Sequence, residues 1–446
     1  MSLSTLSEVT KGQTDKLVGS SDSLLLPSGE YRAPIIVAGE GAKVRDSDGK
    51  FYIDLEGGPG VSSVGHCHPR IVAAIREQAG KLIHSPGRYL SHLAISLSER
   101  LAKLTGGRLT HTFFANSGAE AVDGAVKICI KHAVKTGKPG FGIIALEHAF
   151  HGRLSLPLSL TGMAAKKKGF GPYASFPGIV HMPSPYCYRC PLRLSPASCG
   201  TACADAAEEA MKTRIPGEVA VMIAEPILGV GGIIVPPQEY WAKIQQMCTR
   251  HGITLINDEV FIGFGRTGKM FGHQQFAMEP KAISFAKAIA GGVPLAGFTV
   301  AEEIADAFEK GDHFTTFGVN NQIGLAAAHA VLDVLEEEDL AAGAVRKGAR
   351  VMSGLRRLAE KYEAIGDVRG LGLMIGFEMV RDREKRTPAP DFAKYVYDEL
   401  MKRGVLVSIT GVHNCVVRIT PPLVISNEEI DTALDRLEEV LRAVPH

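Results

Sequence analysis

Two residues of the chain have the types that imine chemistry requires. Lys287 directly follows a short apolar stretch and precedes the glycine pair Gly291 and Gly292, while Asp258 ends another apolar run upstream. An ammonium group among apolar neighbours is costly, so such a lysine is usually neutral, paired or covalently used. A neutral amine condenses with aldehydes, and an aspartate at a pyridinium nitrogen makes that ring an electron sink. Taken singly, Lys287 could equally be a surface lysine at a strand end and Asp258 a helix cap.

A phosphate site is predicted by residues 113–121, which read Phe-Phe-Ala-Asn-Ser-Gly-Ala-Glu-Ala. Strand-like residues here run into a turn of small residues and then into a segment of helical character. A helix N-terminus presents unpaired N–H groups and the positive end of its dipole, Gly118 allows close approach of the backbone, and the Ser117 hydroxyl adds a donor. The alternative is that Ser117 serves only as a helix N-cap.

A third motif, His-Ala-Phe-His-Gly-Arg at residues 148–153, follows the strand-like residues 141–146. An aromatic side chain at the carboxyl end of a strand can stack on a flat ring, which makes Phe150 a candidate. The alternative is an ordinary core phenylalanine. Among the histidines near these motifs, we expect structural roles for all but His151.

In this order the motifs resemble the class III (omega-type) pyridoxal-phosphate aminotransferases of fold type I. The resemblance spans nearly the whole chain, from Val-Gly-His-Cys-His-Pro at residues 64–69 to Arg-Ile-Thr-Pro-Pro-Leu at residues 418–423. It implies pyridoxal 5'-phosphate bound to Lys287 as a Schiff base. It also implies ping-pong transfer of an amino group from a small-molecule donor to a keto-acid acceptor.

The resemblance further implies roles for single residues. The implied cofactor residues are Ser117, Gly118 and Ala119 at the phosphate, Phe150 on one ring face with His151 nearby, Asp258 at the pyridine nitrogen, Glu225 close to the ring, Lys287, and Thr316 at the phosphate of the neighbouring subunit. Arg418 matches the arginine that binds the substrate carboxylate. Because Thr316 is implied to act across subunits, we expect a homodimer or a dimer of dimers.

Departures from the family pattern bear on the substrate. Many relatives carry glutamine where this chain has Phe261, and relatives that use ornithine or 4-aminobutyrate carry a glutamate, paired with the carboxylate arginine, where this chain has Val230. An apolar pocket without that acidic gate favours an omega-amino acid or primary amine as donor, with pyruvate or 2-oxoglutarate as acceptor. The usual Asn-Pro after Thr316 reads Asn320-Asn321, which leaves the geometry of that turn open.

Two other enzymes and one non-enzyme are alternatives. An amino-acid racemase or epimerase and a decarboxylating aminotransferase would use the same cofactor on the same scaffold. A metal-binding or regulatory protein would instead be organised around Cys187, Cys190, Cys199 and Cys203, whose spacing could hold zinc or an iron–sulfur cluster. The spacing between Cys199 and Cys203 is wider than in common metal sites, and three prolines lie nearby, so a surface loop of reduced thiols is favoured.

The order of elements predicts an α/β fold. Short apolar runs at residues 111–114, 141–146, 219–224, 253–256, 283–285 and 295–300 alternate with helical patterns, which indicates a mostly parallel sheet with helices on both faces. A smaller α+β domain should follow, with a strand at residues 370–378 beside the strand of Arg418. We therefore predict three parts: residues 1–60 joining the small domain, a large domain at 61–325 and the small domain at 326–446.

Composition is that of an ordinary globular enzyme. The 446 residues are 45% hydrophobic and 22% charged, and the formal net charge is +1. Near-neutral charge gives no reason to expect nucleic acid or an anionic membrane as partner. Residues 2–29 have the pattern of neither a transit peptide nor a secretory signal, so we expect a cytoplasmic location.

Overall fold

A computed structural model describes residues 34–444, apart from positions 139, 216, 277 and 314. Within these residues, no helix combines the length and the apolar character needed to cross a membrane. Residues 2–29, on which the localisation prediction rests, lie outside the described residues, and the location stays a prediction.

The strands of the described residues form three sheets. In chain order they are β1 Ile36–Glu40, β2 Lys43–Asp46, β3 Phe51–Asp54, β4 His111–Ala115, β5 Gly142–Leu146, β6 Ile179–Met182, β7 Val219–Ala224, β8 Thr254–Asp258, β9 Ala282–Phe285, β10 Ala296–Val300, β11 Ile365–Leu371, β12 Met374–Asp382, β13 Thr387–Pro388, β14 Val405–Leu406, β15 Ser408–Thr410 and β16 Val416–Ile419.

Helices connect and cover these sheets. The α-helices of the described residues are Gly57–Gly60, Pro69–Lys81, His92–Leu104, Gly118–Lys135, Ser155–Leu160, Ala164–Lys167, Ala202–Arg214, Gln238–His251, Glu302–Ala305, Gln322–Glu337, Leu340–Lys361, Pro390–Lys402 and Asn427–Leu441. Short 3-10 helices lie at Gly171–Ala174, Cys187–Arg189, Gly272–Gln275, Lys287–Ala290 and Gly318–Asn320.

The central sheet has seven strands in the order β4-β10-β9-β8-β7-β5-β6. Pairs from β9 through β6 are parallel, and β10 is antiparallel to both of its neighbours. Alternate residues of β5 enter different cores: Ile143 packs in one and Ile144 in the other. Val126 of helix Gly118–Lys135 lies in the first core and Trp241 of helix Gln238–His251 in the second. A mostly parallel sheet with helices on both faces, as predicted, is therefore confirmed.

The predicted site residues follow the strands at one edge of this sheet. Asp258 is the last residue of β8, Glu225 directly follows β7, and Lys287 lies two residues after β9. Ser117 and Phe150 follow β4 and β5 in the same way. Because these strands run parallel, their carboxyl ends meet at one edge, where α/β sheets bind ligands.

The small-domain strands β11-β12-β16-β15 pair in that order, and β13 pairs with β12. The prediction of one strand at residues 370–378 is wrong, because β11 and β12 form a hairpin that turns at Gly372. Gly372 has a φ of 55°, and a Cβ there would lie 2.5 Å from the carbonyl oxygen of Arg266, so the chain reverses where only glycine fits. The predicted neighbour is correct, since Arg418 on β16 pairs with Gly376 on β12.

The first and last parts of the described chain share a sheet. Strands β1, β2 and β3 pair in sequence, and β3 pairs in parallel with β14. This pairing agrees with an amino-terminal segment that joins the carboxyl-terminal part. The boundaries 1–60, 61–325 and 326–446 stay a prediction.

Candidate active site

A cavity of about 360 Å³ opens at the carboxyl edge of the central sheet. Most of the predicted site residues line it: Ser117, Gly118, Ala119, Phe150, His151, Glu225, Val230, Asp258, Phe261 and Lys287. The structure thus brings together side chains from five strand ends. Neither Arg418 nor Thr316 lines the cavity, but Arg418 contacts the ring of Phe261, which does.

Lys287 begins the 3-10 turn Lys287–Ala290 with a φ of 52°. Its side chain is partly exposed to the cavity and otherwise enclosed by protein, with Nζ 4.4 Å from the centre of the Phe261 ring. Burial, reinforced by the positive charge of Arg418, lowers the pKa of Lys287 to about 8. Roughly a tenth of the amine is therefore neutral at pH 7, against less than a thousandth at the ordinary pKa of 10.5, and this neutral form is the one that nucleophilic chemistry requires.

Asp258 and His151 form a buried pair on the cavity wall. Asp258 Oδ2 lies 2.8 Å from His151 Nδ1, and both residues are 3% exposed. The second oxygen, Oδ1, accepts hydrogen bonds from Ser284 Oγ at 3.1 Å and from the Val260 N–H at 3.1 Å. These contacts hold an oriented carboxylate at the cavity, where it can accept a hydrogen bond from a protonated ring nitrogen.

Glu225 fastens two loops of the site to each other. Its Oε1 accepts a hydrogen bond from the Phe150 N–H and its Oε2 from the Gly229 N–H, both at 2.9 Å. Burial raises the pKa of Glu225 to about 7. Through this carboxylate, the loop of Phe150 and the loop of Val230 keep a fixed separation across the cavity.

The predicted phosphate site lies at the start of helix Gly118–Lys135. Ser117 is its N-cap, and Oγ accepts a hydrogen bond from the Glu120 N–H at 3.2 Å. Ser117 therefore caps the helix, and its hydroxyl group can still donate a hydrogen bond to a bound anion. A Cβ on Gly118 would lie 2.8 Å from Val260 Cγ1, so the close packing of the helix start against Val260 favours glycine.

Thr316 lies in an exposed loop outside the cavity of its own chain. Its carbonyl oxygen is 3.1 Å from both His84 Nε2 and Asn320 Nδ2. The turn at Asn320-Asn321 forms without the usual proline. Asn321 caps helix Gln322–Glu337 by accepting a hydrogen bond from the Gly324 N–H at 3.0 Å. The role of Thr316 at a neighbouring subunit stays a prediction.

Phe261 is more than the apolar wall that the sequence suggests. Lys287 Nζ and the guanidinium carbon of Arg418 lie 4.4 Å and 5.2 Å from the centre of its ring. The ring fits between Gly60 and Gly229, where added Cβ atoms would lie 2.9 Å and 2.2 Å from it. Phe261 therefore packs against two cations and separates them without neutralising either.

One acidic neighbour of Arg418 was not predicted from the sequence. Arg418 is 5% exposed on β16, and its Nη2 lies 3.7 Å from Glu56 Oε1. Glu56 precedes the glycine-rich residues 57–60, which read Gly-Gly-Pro-Gly and signal only a turn. A second residue that the sequence did not single out is the cation Arg153, whose guanidinium lies 5.2 Å from the centre of the Phe150 ring and helps to lower the pKa of Lys287.

The four clustered cysteines line a separate small cavity of about 20 Å³. Burial raises the pKa of Cys187, and it raises that of Cys203 to about 11, which favours thiols over thiolates. Within the described ranges, no group of three or more metal-ligating side chains has an arrangement that could hold a metal ion.

Comparison with known proteins identifies the family. Residues 28–441 match the family model of aminotransferase class-III. The chain belongs to the class III aminotransferases. The acetylornithine aminotransferase of Methanocaldococcus jannaschii is 37% identical over 415 residues, covering 93% of this chain and 95% of that protein. The leucine/methionine racemase of Thermococcus litoralis is 35% identical over 419 residues, covering 92% and 91%.

A solved structure shows the same fold. The (S)-enantioselective omega-transaminase from Thermomicrobium roseum superimposes with a TM-score of 0.90 at 33% identity, covering 97% of this chain and 99% of that one. The predicted family, fold type I and transaminase activity are therefore confirmed. The substrates of this aminotransferase are an amino donor and a keto acid.

Pyridoxal phosphate is the cofactor of this family, and the residues present fit it. An amine with a lowered pKa, a buried carboxylate and a helix N-terminus surround one cavity. The cavity volume of about 360 Å³ lies within the range of small-molecule sites.

Proposed function

We propose that this aminotransferase transfers the amino group of an omega-amino acid or primary amine to pyruvate or 2-oxoglutarate, and that Arg418 binds the carboxylate of the acceptor. The observation that carries the proposal is the guanidinium of Arg418, 5% exposed, against the same Phe261 ring that contacts Lys287 Nζ. A carboxylate on Arg418 would place the rest of an acceptor beside the reactive amine.

Each cofactor group has a counterpart in the cavity. Lys287 would hold pyridoxal phosphate covalently, the N-terminus of helix Gly118–Lys135 would take its phosphate, and Asp258 its ring nitrogen. When bound, the cofactor supplies an electron-withdrawing ring that stabilises negative charge on the substrate carbon next to the transferred nitrogen. Phe150 would cover one ring face, and Glu225 keeps Phe150 in place.

Lys287 would also carry the proton. When not bonded to the cofactor, Nζ would take a proton from the donor carbon that bears the nitrogen and later return it. A pKa of about 8 suits an amine that must accept and return a proton near neutral pH. His151 contributes by orienting the Asp258 carboxylate through the 2.8 Å contact.

The apolar side chains of Val230 and Phe261 favour donor substrates without a second acidic group. Both line the cavity, and neither can neutralise Arg418 or bind a charged side chain. The test is a panel of amines, omega-amino acids and alpha-amino acids, each paired with pyruvate and with 2-oxoglutarate. If only alpha-amino acid donors are turned over, the donor class proposed here is wrong.

Racemisation is a second candidate, because a relative with 35% identity is a racemase. A racemase returns the proton to the carbon from which it came, without needing a keto acid. Incubating the holoenzyme with an L-amino acid and no acceptor distinguishes the two activities. Steady formation of the D-isomer would favour racemisation, and at most one half-reaction per site is expected of an aminotransferase.

A homodimer is supported by an exposed apolar surface around Thr316. Segments 82–90 and 316–321 are joined by the hydrogen bond from Ser85 N to Asn320 O at 3.0 Å. Large side chains exposed on them are Leu82, Ile83, Tyr89, Leu90, Phe317 and Val319. Apolar surface gathered in this way is typical of a subunit interface, which would bring Thr316 to the neighbouring active site.

A further inference from the structure

Arg418 is buried but incompletely satisfied. The guanidinium can donate five hydrogen bonds, yet its ion-pair contact is the 3.7 Å approach of Nη2 to Glu56 Oε1. Its Nε is buried and has no hydrogen-bond partner among the described residues. A guanidinium held this loosely can exchange its anion for a ligand carboxylate.

Glu56 is attached to the strand end that carries this arginine. Thr420 Oγ1 donates a hydrogen bond to the Glu56 carbonyl oxygen at 2.9 Å. Gly57 has a φ of 63°, and a Cβ there would lie 2.3 Å from the Thr420 carbonyl oxygen. The Glu56 side chain accepts a hydrogen bond from the Gly58 N–H at 3.2 Å. Because it is 34% exposed, it can face Arg418 and still remain in contact with solvent.

The charges around Glu56 make its ionisation depend on Arg418. Burial raises the pKa of Glu56, Arg418 opposes that effect, Asp54 on β3 raises the pKa further, and His66 lowers it. Asp54 in turn lies 2.7 Å from His66 Nε2, and its Oδ1 accepts hydrogen bonds from the backbone of Glu56 and Gly57. A ligand carboxylate that neutralises Arg418 removes the largest influence that favours the Glu56 anion.

Resting on the proposed function, we propose that Glu56 is the counter-ion of Arg418 when no substrate carboxylate is bound, and that a carboxylate ligand displaces Glu56, which then takes up a proton. Val230 lines the same cavity and carries no charge that could neutralise this arginine. Glu56 would neutralise it from the amino-terminal segment. It would let one cavity alternate between carboxylate-free amines and keto acids, and so determine specificity.

Calorimetry with glutarate, a carboxylate that cannot be transaminated, tests this with the holoenzyme. Titrations in buffers of different ionisation enthalpy, from about pH 6 to about pH 9, report protons taken up per ligand bound. The wild-type protein should take up part of a proton, and its affinity for glutarate should fall as pH rises. Glu56→Gln should lose that uptake and bind glutarate roughly 3- to 10-fold more tightly, because no anion competes for Arg418.

Two further variants secure the interpretation. Glu56→Gln keeps an oxygen for the Gly58 N–H, and Glu77→Gln, which removes an exposed carboxylate paired with Lys81, should behave as wild type. If Glu56→Gln does not fold, Glu56→Asp shortens the reach to Arg418 and should also bind glutarate more tightly. Wild-type proton uptake and affinity in a folded Glu56 variant would overturn the proposal. Glutarate binding requires no turnover, so the donor panel reports separately on the proposed function.

Discussion

At the scale of the residue, the site depends on burial as much as on side-chain type. Lys287 is one of many lysines, but enclosure beside Arg418 lowers its pKa to about 8. Asp258 is distinguished by its contacts with His151 and Ser284, which orient both carboxylate oxygens. Reactivity therefore follows from position at the ends of strands, where charged groups meet inside a largely apolar wall.

The reactivity of Lys287 is the first residue-scale prediction. An acylating reagent reacts only with the neutral form of an amine. The rate of acylation of Lys287 in cofactor-free protein should therefore rise with pH around a midpoint near 8 instead of near 10.5. Mass spectrometry of peptides would follow the rate at each lysine. In the holoenzyme, borohydride should attach the cofactor to Lys287.

Lys281 provides the matched control for this prediction. It is exposed, precedes strand β9 and pairs with Glu303 at 2.7 Å. Lys281→Ala should leave the borohydride product unchanged, whereas Lys287→Ala should abolish it. A labelled peptide that contains a different lysine would refute the assignment of Lys287.

Arg418 gives the second residue-scale prediction. A buried guanidinium–carboxylate pair contributes on the order of 2–4 kcal/mol, so Arg418→Ala should lower kcat/KM for the keto acid by roughly 30- to 1000-fold. A donor without a carboxylate has no group for this guanidinium, and its half-reaction in a single turnover should change far less. Equal slowing of both half-reactions would mean that Arg418 has a structural role only.

At the scale of the element, the start of helix Gly118–Lys135 combines two functions. Ser117 caps the helix, and the same turn presents free N–H groups toward the cavity. Gly118 allows Val260, which follows Asp258, to pack directly against the helix. The proposed phosphate site and Asp258, the proposed partner of the ring nitrogen, are thus held at a fixed distance by one close contact between a helix and a strand end.

Adding a methyl group at Gly118 should disturb that contact. The new Cβ would lie 2.8 Å from Val260 Cγ1, and overpacking of this kind costs about 1–3 kcal/mol. Gly118→Ala should therefore lose cofactor faster on dialysis, as cofactor absorbance would record, and should unfold at lower denaturant concentration.

Gly80 serves as a control in another helix. An added Cβ at Gly80 meets no atom within 4 Å, so Gly80→Ala should be neutral or stabilising by up to about 1 kcal/mol. The same cofactor retention in both variants would argue against a phosphate site at this helix terminus.

At the scale of the whole molecule, the active site joins parts of the chain that are distant in sequence. Arg418 comes from the small sheet, Glu56 from the segment after β3, and Lys287 from the central sheet. Arg266, 0% exposed, links these parts by donating to Ser63 Oγ at 2.9 Å and to the carbonyl oxygens of Leu373 and Pro421. Under the proposed function, substrate specificity would be set where the sheets meet.

Assembly is the whole-molecule prediction. Sedimentation at low concentration should show a dimer or a dimer of dimers, because a second subunit would bury the exposed apolar side chains around Leu90 and Phe317. The double change Leu90→Asp and Phe317→Asp should favour monomers and weaken cofactor retention. Thr316→Ala should weaken cofactor retention while the dimer persists.

Phe51, also exposed but distant in sequence from both segments, provides the control for assembly. Phe51→Asp should leave the sedimentation coefficient unchanged. A stable wild-type monomer with full activity would contradict the proposed contribution of Thr316 to a neighbouring site.

The family, the α/β fold and most of the cavity lining could be predicted from the amino-acid sequence. Lys287, Asp258 and Ser117 lie in local patterns of strand followed by turn, and parallel strands bring such turns to one edge whatever the rest of the chain does. Three features could be seen only in the folded chain: Glu56 faces Arg418, Phe261 packs against two cations, and the chain reverses at Gly372. Those contacts depend on how separate sheets pack against each other, and a hydrophobic pattern specifies which face of an element is buried without specifying its partner.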